Sequence, residues 1–299
     1  MDLLSLRYFQ TVARLEHISR AAEELRVAQP SVSRTIARLE AELGVPLFDR
    51  QGRRVRLNRY GAAFLHRVDR ALGELDDARR ELADAAGLDH GGVAVAAETL
   101  LTVAGPLAAF RAAHPSAELR LFQSSTELMA QQLHTREVDF CLASEPLRDP
   151  TLCGVELARE EVLLAVPPGH RLAARARVTV RELADEPFIT PRPGHWQRTL
   201  LDRLFATEGL SPVITCEGNE PAATQFLVSA GLGLGLMPAM ARAAQGAVTD
   251  APVGWLHVDH PDCHRTLTLA WRRDGYLSAA ARRFRELVVE EFASYGRGA

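Results

Sequence analysis

Residues 18–50, ISRAAEELRVAQPSVSRTIARLEAELGVPLFDR, carry two apolar helical stripes with only RVAQ between them, and that spacing constrains the fold more than any other feature of the chain. Ile18, Ala21, Ala22 and Leu25 recur at intervals of three and four, and Val32, Ile36 and Leu39 do so again, the period that turns one side of a helix toward a core. A four-residue joint leaves room only for a tight corner. Ser19 lies near the front of the first helix, and Ser31 or Ser33 near the front of the second is placed to cap exposed N–H groups. Pro30 marks the second start, because proline is tolerated in a helix's first turn and not deeper, and Gly44 marks its end. Arg34 and Arg38 fall on the side away from Val32, Ile36 and Leu39. The pattern predicts a helix-turn-helix.

The flanks extend that unit. A helix is expected over residues 3–14 with Leu3, Leu6, Phe9 and Ala13 inward, and beyond Gly44 the residues Leu47 and Phe48 are expected to plug the core. RRVRL then alternates as a short strand about a turn at Gly52, which makes a wing. Arg50, Arg53, Arg54 and Arg56 concentrate positive charge there, where a loop tip reaches phosphates or a minor groove; a solvated hairpin is the alternative. Net charge over all 299 residues is -3, yet residues 1–58 hold ten arginines against seven acidic residues. The basic end is the end that would meet phosphates, and the acidic remainder would be repelled from them.

From Asn58, a good cap, the sequence YGAAFLHRVDRALGELDDARRELADAAG runs to Gly87 without proline. Phe64, Val68, Ala71, Leu75, Ala78 and Leu82 alternate spacings of four and three, the seam of a coiled coil. A dimerising linker helix is expected, with packing on its own domain as the alternative. Beyond GLDHGG, strands alternate with helices: VAVAAE, a helix through Phe110, AELRLFQ, a helix at 127–136, VDFCLAS, EVLLAVPP, EPFITP, a helix near 196–207, PVITCEG, a helix at 221–230, GLGLMP, GWLHV, TLTLAWR and a helix from Leu277 to Phe292. Such units predict an open, mostly parallel α/β sheet, and two series of them predict two lobes with a ligand cleft at the hinge. The fold class is therefore α+β multidomain: a winged helix-turn-helix over 1–58, a linker helix over 59–87 and a two-lobed α/β domain over 88–299. Its first lobe takes in about 92–160 and 267–299, and its second about 161–266.

Other features narrow the classes. With 47% apolar and 24% charged residues the chain matches an ordinary globular protein. No apolar run reaches the roughly 18 residues of a membrane span, and MDLLSLRYFQ lacks the basic start and apolar stretch of a signal peptide, so a cytoplasmic protein without membrane contact is expected. Cys141, Cys153, Cys216 and Cys263 lie far apart and read as buried reduced thiols, with a Cys141–Cys153 redox pair as the sharper alternative. HVDHPDCHR gathers His257, His260, Cys263 and His264, but on one loop without a second cluster; no metal and no cofactor is expected.

LRYFQTVARLEHISRAAEELRVAQPSVSRTIARLEAELGVPLFDRQGRRVRLNRYG strongly resembles the N-terminus of LysR-type transcriptional regulators, in register through helix, turn, helix and wing. FRAAHP, PPGHRLA and LVSAGLGLGLMP follow in the order of that family's effector-binding region, so the resemblance covers nearly the whole chain. Asn58 stands where many relatives have threonine, and either residue caps. The resemblance implies a periplasmic-binding-protein-like effector domain and a homodimer, or a homotetramer as a dimer of dimers. It also implies double-stranded promoter DNA as partner, a small-molecule effector that changes the grip on it, and RNA polymerase as a further candidate partner. From the residues themselves, Gln29, Ser31, Ser33 and Arg34 open the second helix of the motif and suit base edges in a major groove, while Arg38 and the wing arginines suit phosphates.

For the cleft, AETLLT follows the first strand and QSSTEL sets hydroxyls before a helix start, which suits an anionic group; ordinary capping is the alternative for Ser125 and Thr126. The resemblance carries over Thr99, Thr102, Ser125 and Thr126 as effector contacts. TPRPGHW offers Thr190, Arg192 and His195 at the cleft mouth, with Arg192 able to pair with an anion unless it is simply solvated. Two rival classes stay in view. An enzyme lacks support, since no G-x-S-x-G elbow or phosphate loop occurs and the glycines of GLGLGLMP follow a helix, the reverse of a dinucleotide motif. A secreted solute-binding protein would fit residues 90–299 but not the attached helix-turn-helix.

Overall fold

The computed structural model describes residues 1–51, 54–86, 92–218, 223–243 and 251–295. The chain divides into two units, Met1–Leu88 with His134–Arg136, and Asp89–Leu133 with Glu137–Ala299.

The first unit runs α1 (Leu3–Leu15), α2 (Ile18–Glu24), α3 (Gln29–Leu43), β1 (Phe48–Gln51), β2 (Arg54–Leu57) and α4 (Arg59–Ala85). Phe9, Val12, Ala21, Val32, Ile36, Leu39 and Leu47 are buried together, and the Phe9 ring packs 5.5 Å from Phe48 and 5.2 Å from Phe64. Leu6 and Ala13 face inward as expected, but Leu3 is 47% exposed. The buried stripe of α1 starts only at Ser5, and in the first turn Leu4 is exposed as well.

Two caps differ from the sequence reading. His17 caps α2, with Nδ1 accepting from the Arg20 N–H at 3.4 Å. Ala28 occupies the cap position of α3 and Pro30 its first turn; neither Ser31 nor Ser33 caps, because both lie inside the helix and Pro30 has already removed one N–H in need of a partner. The corner between α2 and α3 closes on Arg26, whose φ of 55° is left-handed, and on a bond from Val27 N to Ala22 O at 2.9 Å. Gly44, at φ 72°, ends α3. The strands pair antiparallel from Phe48↔Leu57 to Gln51↔Arg54, the frame of the expected wing; its tip at Gly52 and Arg53 lies outside the described residues. Asn58 caps α4 by accepting from Tyr60 N and Gly61 N, both at 2.9 Å.

In the second unit the order is β3 (Val93–Ala97), α5 (Ala104–Ala113), β4 (Leu119–Gln123), α6 (Thr126–His134), β5 (Phe140–Ala143), β6 (Leu152–Val166), β7 (Arg177–Val178), β8 (Pro187–Pro191), α7 (Trp196–Thr207), β9 (Val213–Gly218), α8 (Thr224–Ser229), β10 (Gly235–Pro238), α9 (Ala239–Ala243), β11 (Gly254–Val258), β12 (His264–Arg272) and α10 (Ala279–Tyr295). The main sheet is ordered β4-β3-β5-β12-β6-β11-β7 with β10 also on β6, and β8 pairs with β9 apart from it. It is mixed rather than mostly parallel: β3 pairs parallel with β4 and β5, and β11 with β7, but β12 runs antiparallel to β5 and β6, and β10 and β11 antiparallel to β6. The cause is β6, which begins nine residues before the expected EVLLAVPP strand. Its first part pairs with β12 and its last residues with β10 and β11, so one strand serves both groups of strands. Gly154, Glu156, Arg159 and Glu160 hide that first part from a hydrophobicity pattern.

Separate cores flank the sheet. Phe110, Phe140 and Phe284 pack α5 and α10 on one face; Met129, Leu133 and Cys141 lie under α6 on the other; Phe188, Leu200, Leu204 and Phe205 fill the core beside α7. The glycines of GLGLGLMP serve the backbone. Gly231, at φ 81°, turns the chain after α8, and a Cβ on Gly233 would stand 2.6 Å from the Pro187 carbonyl.

Candidate functional site

At the open face of the first unit, Gln29 and Arg34 are exposed at the start of α3, Ser31 and Ser33 are half-buried beside them, and Arg38 lies one turn further on. Among the described residues the Ser31 and Ser33 hydroxyls have no partner. Arg34 donates from Nε to the Pro30 carbonyl at 3.2 Å, which folds the side chain back over the first turn. Arg38 stands 3.8 Å from Asp2 and 3.5 Å from the Ser5 hydroxyl, so it is shared with the start of α1 while remaining 63% exposed. The wing is tied to this face: Glu40 on α3 accepts from the Leu47 and Phe48 N–H groups at 2.7 and 3.2 Å, and Val55 N donates to Glu16 O at 3.2 Å. Arg56 is exposed. Arg53 and the side chains of Arg50 and Arg54 lie outside what is described. An exposed helix start with hydroxyl, amide and guanidinium groups and no acidic side chain in its first turn presents donors to a polyanion.

In the second unit the carboxyl ends of β3, β4 and β5 converge. Thr99 caps a 3-10 turn over Leu100–Val103, Thr102 is buried in it, and Ser125 caps α6 through a 3.4 Å bond from Leu128 N. The Thr126 hydroxyl donates to Glu98 Oε1 at 2.8 Å, and Ser144 N donates to Glu98 Oε2 at 2.9 Å. Glu98 is only 2% exposed. Burial pushes its carboxyl pKa upward, against the Ser144 and Thr126 hydrogen bonds and Arg265 nearby. Opposite lies the loop from β8 to α7. Gly194, at φ 94°, stands so that a Cβ there would meet Ser125 Cβ at 3.8 Å. Thr190 and His195 are buried and Arg192 is exposed. The structure thus brings Ser125 against Gly194 of the β8–α7 loop.

Four polar atoms of this loop and the following turn are buried without a partner among the described residues: Thr190 Oγ1, His195 Nδ1, Trp196 Nε1 and Gln197 Oε1. Burial also lowers the pKa of His195, which favours its neutral form. Trp196 packs against Arg265, whose guanidinium lies 5.1 Å from the indole ring. Arg265 donates to Glu160 at 2.7 Å and to the Ser144 hydroxyl at 3.1 Å, so the chain of contacts returns to Glu98. A cavity of about 330 Å³ opens beside this cluster, lined in part by Ser144, Arg148, Trp196, Leu200, Arg203 and Arg265; none of the seven candidate effector residues lines it. Sequence reasoning misses Glu98, Ser144, Trp196, Gln197 and Arg265. The only signal in the sequence is an acidic residue directly after an apolar strand.

The remaining candidates have structural partners. His257 pairs with Glu161, His264 with Arg159, and His260 with the Thr207 hydroxyl. The Cys263 thiol is buried against Val162 O with its pKa pushed up to about 12. Burial likewise raises the pKa of Cys141 and Cys153. No helix among the described residues is long and apolar enough to cross a membrane.

Residues 3–62 match the family model described as bacterial regulatory helix-turn-helix protein, lysR family, and residues 89–293 match the LysR substrate binding domain. Among curated proteins the chain is 35% identical to the uncharacterized HTH-type transcriptional regulator YybE of Bacillus subtilis, over 98% of this chain and all of that one. It is 31% identical to the transcriptional dual regulator GltC of the same organism, over 98% of each. Among solved structures, a full-length point variant of OxyR from Pseudomonas aeruginosa aligns with a TM-score of 0.69 at 26% identity, over 99% of this chain and 97% of that one. The chain belongs to the LysR family: it is a DNA-binding transcriptional regulator whose helix-turn-helix unit is joined to a substrate-binding α/β domain.

Proposed function

We propose that the regulator grips promoter DNA as a homodimer, assembling further into a dimer of dimers, and that a small molecule held between the Ser125–Thr126 turn and the β8–α7 loop changes that grip. On the DNA side Gln29, Ser31, Ser33 and Arg34 read base edges, and Arg38, Arg50, Arg53 and Arg54 hold phosphates. On the effector side Thr190 and His195 line the bound molecule from one wall, Thr99, Thr102, Ser125 and Thr126 from the other, and Arg192 stands at the mouth.

One observation carries the effector reading: four buried polar atoms in the β8–α7 loop and the turn after it have no partner among the described residues. Leaving such an atom unpaired costs about 1–3 kcal/mol, and buried polar groups are otherwise nearly always satisfied. A ligand that supplies the missing partners converts that cost into affinity. The test is a thermal-shift screen of the full chain against small metabolites, repeated on Thr190→Val and Gln197→Leu. A ligand at 100 times its dissociation constant adds about 2.7 kcal/mol, and both variants should weaken its binding; hits that ignore both would remove this loop from the site.

A further inference from the structure

The cavity of about 330 Å³ in the second unit is not used by the proposed effector site. Three elements build it. The loop after β5 brings Glu145 and Arg148, one face of α7 brings Trp196, Leu200 and Arg203 at spacings of four and three, and the start of β12 brings Arg265. Arg265 is buried and donates from Nε to Glu160 Oε1 at 2.7 Å and from Nη1 to the Ser144 hydroxyl at 3.1 Å, so its charge is already compensated. That leaves two guanidinium groups in the lining, on Arg148 and Arg203, against the one carboxylate of Glu145.

Neither of those guanidinium groups is firmly held. Arg203 and Glu145 stand 3.7 Å apart with side-chain exposures of 45% and 38%, a contact that water screens. Arg148 is exposed and has no partner among the described residues; its neighbour Asp149 instead accepts from the Thr151 N–H and hydroxyl, at 2.8 and 2.6 Å. Guanidinium groups present N–H donors in a planar fork that fits the oxygens of a carboxylate or a phosphate, and a cavity of this size takes a small metabolite. A cation would meet the excess of positive charge, and a neutral apolar molecule would desolvate Arg148 without replacing its hydrogen bonds to water.

We infer that this cavity is a second ligand site, which grips a small anion by its carboxylate or phosphate group between Arg148 and Arg203. Trp196 and Leu200 supply apolar wall for the rest of the molecule. An anion held by both arginines ties the loop after β5 to α7. The inference goes beyond the proposed effector site and does not depend on it, because neither Thr190 nor Gln197 lines this cavity.

The experiment is a calorimetric and thermal-shift titration of the full chain at one ionic strength with matched pairs: succinate against succinamide, 3-phenylpropionate against 3-phenylpropanol, and glycerol 3-phosphate against glycerol, with inorganic phosphate and sulfate as bare anions. At least one anion should raise the midpoint by several degrees while its neutral partner does not, and the carboxylate and phosphate arms separate the two chemistries. Arg148→Gln and Arg203→Gln should each weaken that anion about tenfold, the loss of one charge-assisted hydrogen bond. Arg120→Gln, which removes an exposed charge outside the cavity, should not weaken it, and neither should Thr190→Val or Gln197→Leu. A panel in which no anion binds overturns the proposal, as does an anion indifferent to both Arg148→Gln and Arg203→Gln or weakened equally by Arg120→Gln. Anion binding lost only in Thr190→Val and Gln197→Leu would also overturn it, while leaving the proposed effector site in place.

Discussion

Glu98 is the residue at which burial and charge disagree most openly. Its carboxyl is pushed up by desolvation, so the folded state holds a proton that the unfolded state releases near the ordinary value of 4.5. Stability from this group is fully present below that value and is lost as pH rises through the folded-state pKa, because over that window the native state binds more protons. Glu98→Gln should therefore flatten the descending part of the stability curve above pH 4.5, read from denaturation midpoints at a series of pH values; an unchanged curve would mean the carboxylate is well solvated. Arg34 makes a different kind of prediction. Arg34→Ala should cost about 1–3 kcal/mol on the specific site and relax base preference there, and equal losses on specific and random DNA would reassign it to phosphate. Arg34 is legible in the sequence because helical period and an exposed face are local properties. Glu98 is not, since its meaning depends on Thr126, Ser144 and Arg265, which the fold alone brings near. The unpaired Thr190 and Gln197 atoms are likewise invisible until the loop is folded.

Helices and turns carry most of what the sequence can tell. Val32, Ile36 and Leu39 lie buried as their spacing requires, and Gly44 and Asn58 bound their helices as expected. The features that escape it are set by tertiary pairing: the first part of β6, the antiparallel β12, and the caps of α2 and α3. The junction between wing and α4 shows how strictly an element can be placed. A Cβ on Gly61 would stand 2.1 Å from the Leu47 carbonyl oxygen and 2.6 Å from a Leu57 methyl, and a backbone atom cannot step aside. Gly61→Ala should therefore destabilise the first unit by about 1–3 kcal/mol, even though alanine is the better helix former. Asn58→Ala should cost about 1 kcal/mol through the lost cap, with a further penalty because its side-chain amide also donates to the Pro46 carbonyl at 2.9 Å. Chemical denaturation separates the two effects, since a Gly61→Ala protein as stable as wild type would mean the α4 start shifts freely against the wing.

At the scale of the whole molecule the question is what the outer face of α4 meets. Its expected seam divides in the structure. Phe64 and Val68 pack into the helix-turn-helix core and are spent within one chain, joined by Leu72, which the heptad reading leaves out. Ala71, Leu75, Ala78 and Leu82 point away from that core, with Leu75 at 42% and Leu82 at 70% exposure. Large apolar side chains repeated on one stripe of a long helix are the usual material of a helix–helix interface. Two DNA-binding units joined through such a stripe would read two half-sites at a fixed spacing, and holding both raises affinity well beyond that of one unit. Leu75→Glu combined with Leu82→Glu should leave the core of each unit intact, because neither side chain contributes to it. In solution the mass should halve, a dimer of 32.8 kDa chains falling to one chain and a dimer of dimers to a dimer, and binding to a two-half-site operator should drop toward that of a single half-site. Val68→Glu, by contrast, should unfold the first unit through a buried unpaired charge. If the double variant kept its assembly state by light scattering while its thermal midpoint stayed at the wild-type value, α4 would not be the interface, and the pairing of half-sites would have to come from the α/β domain.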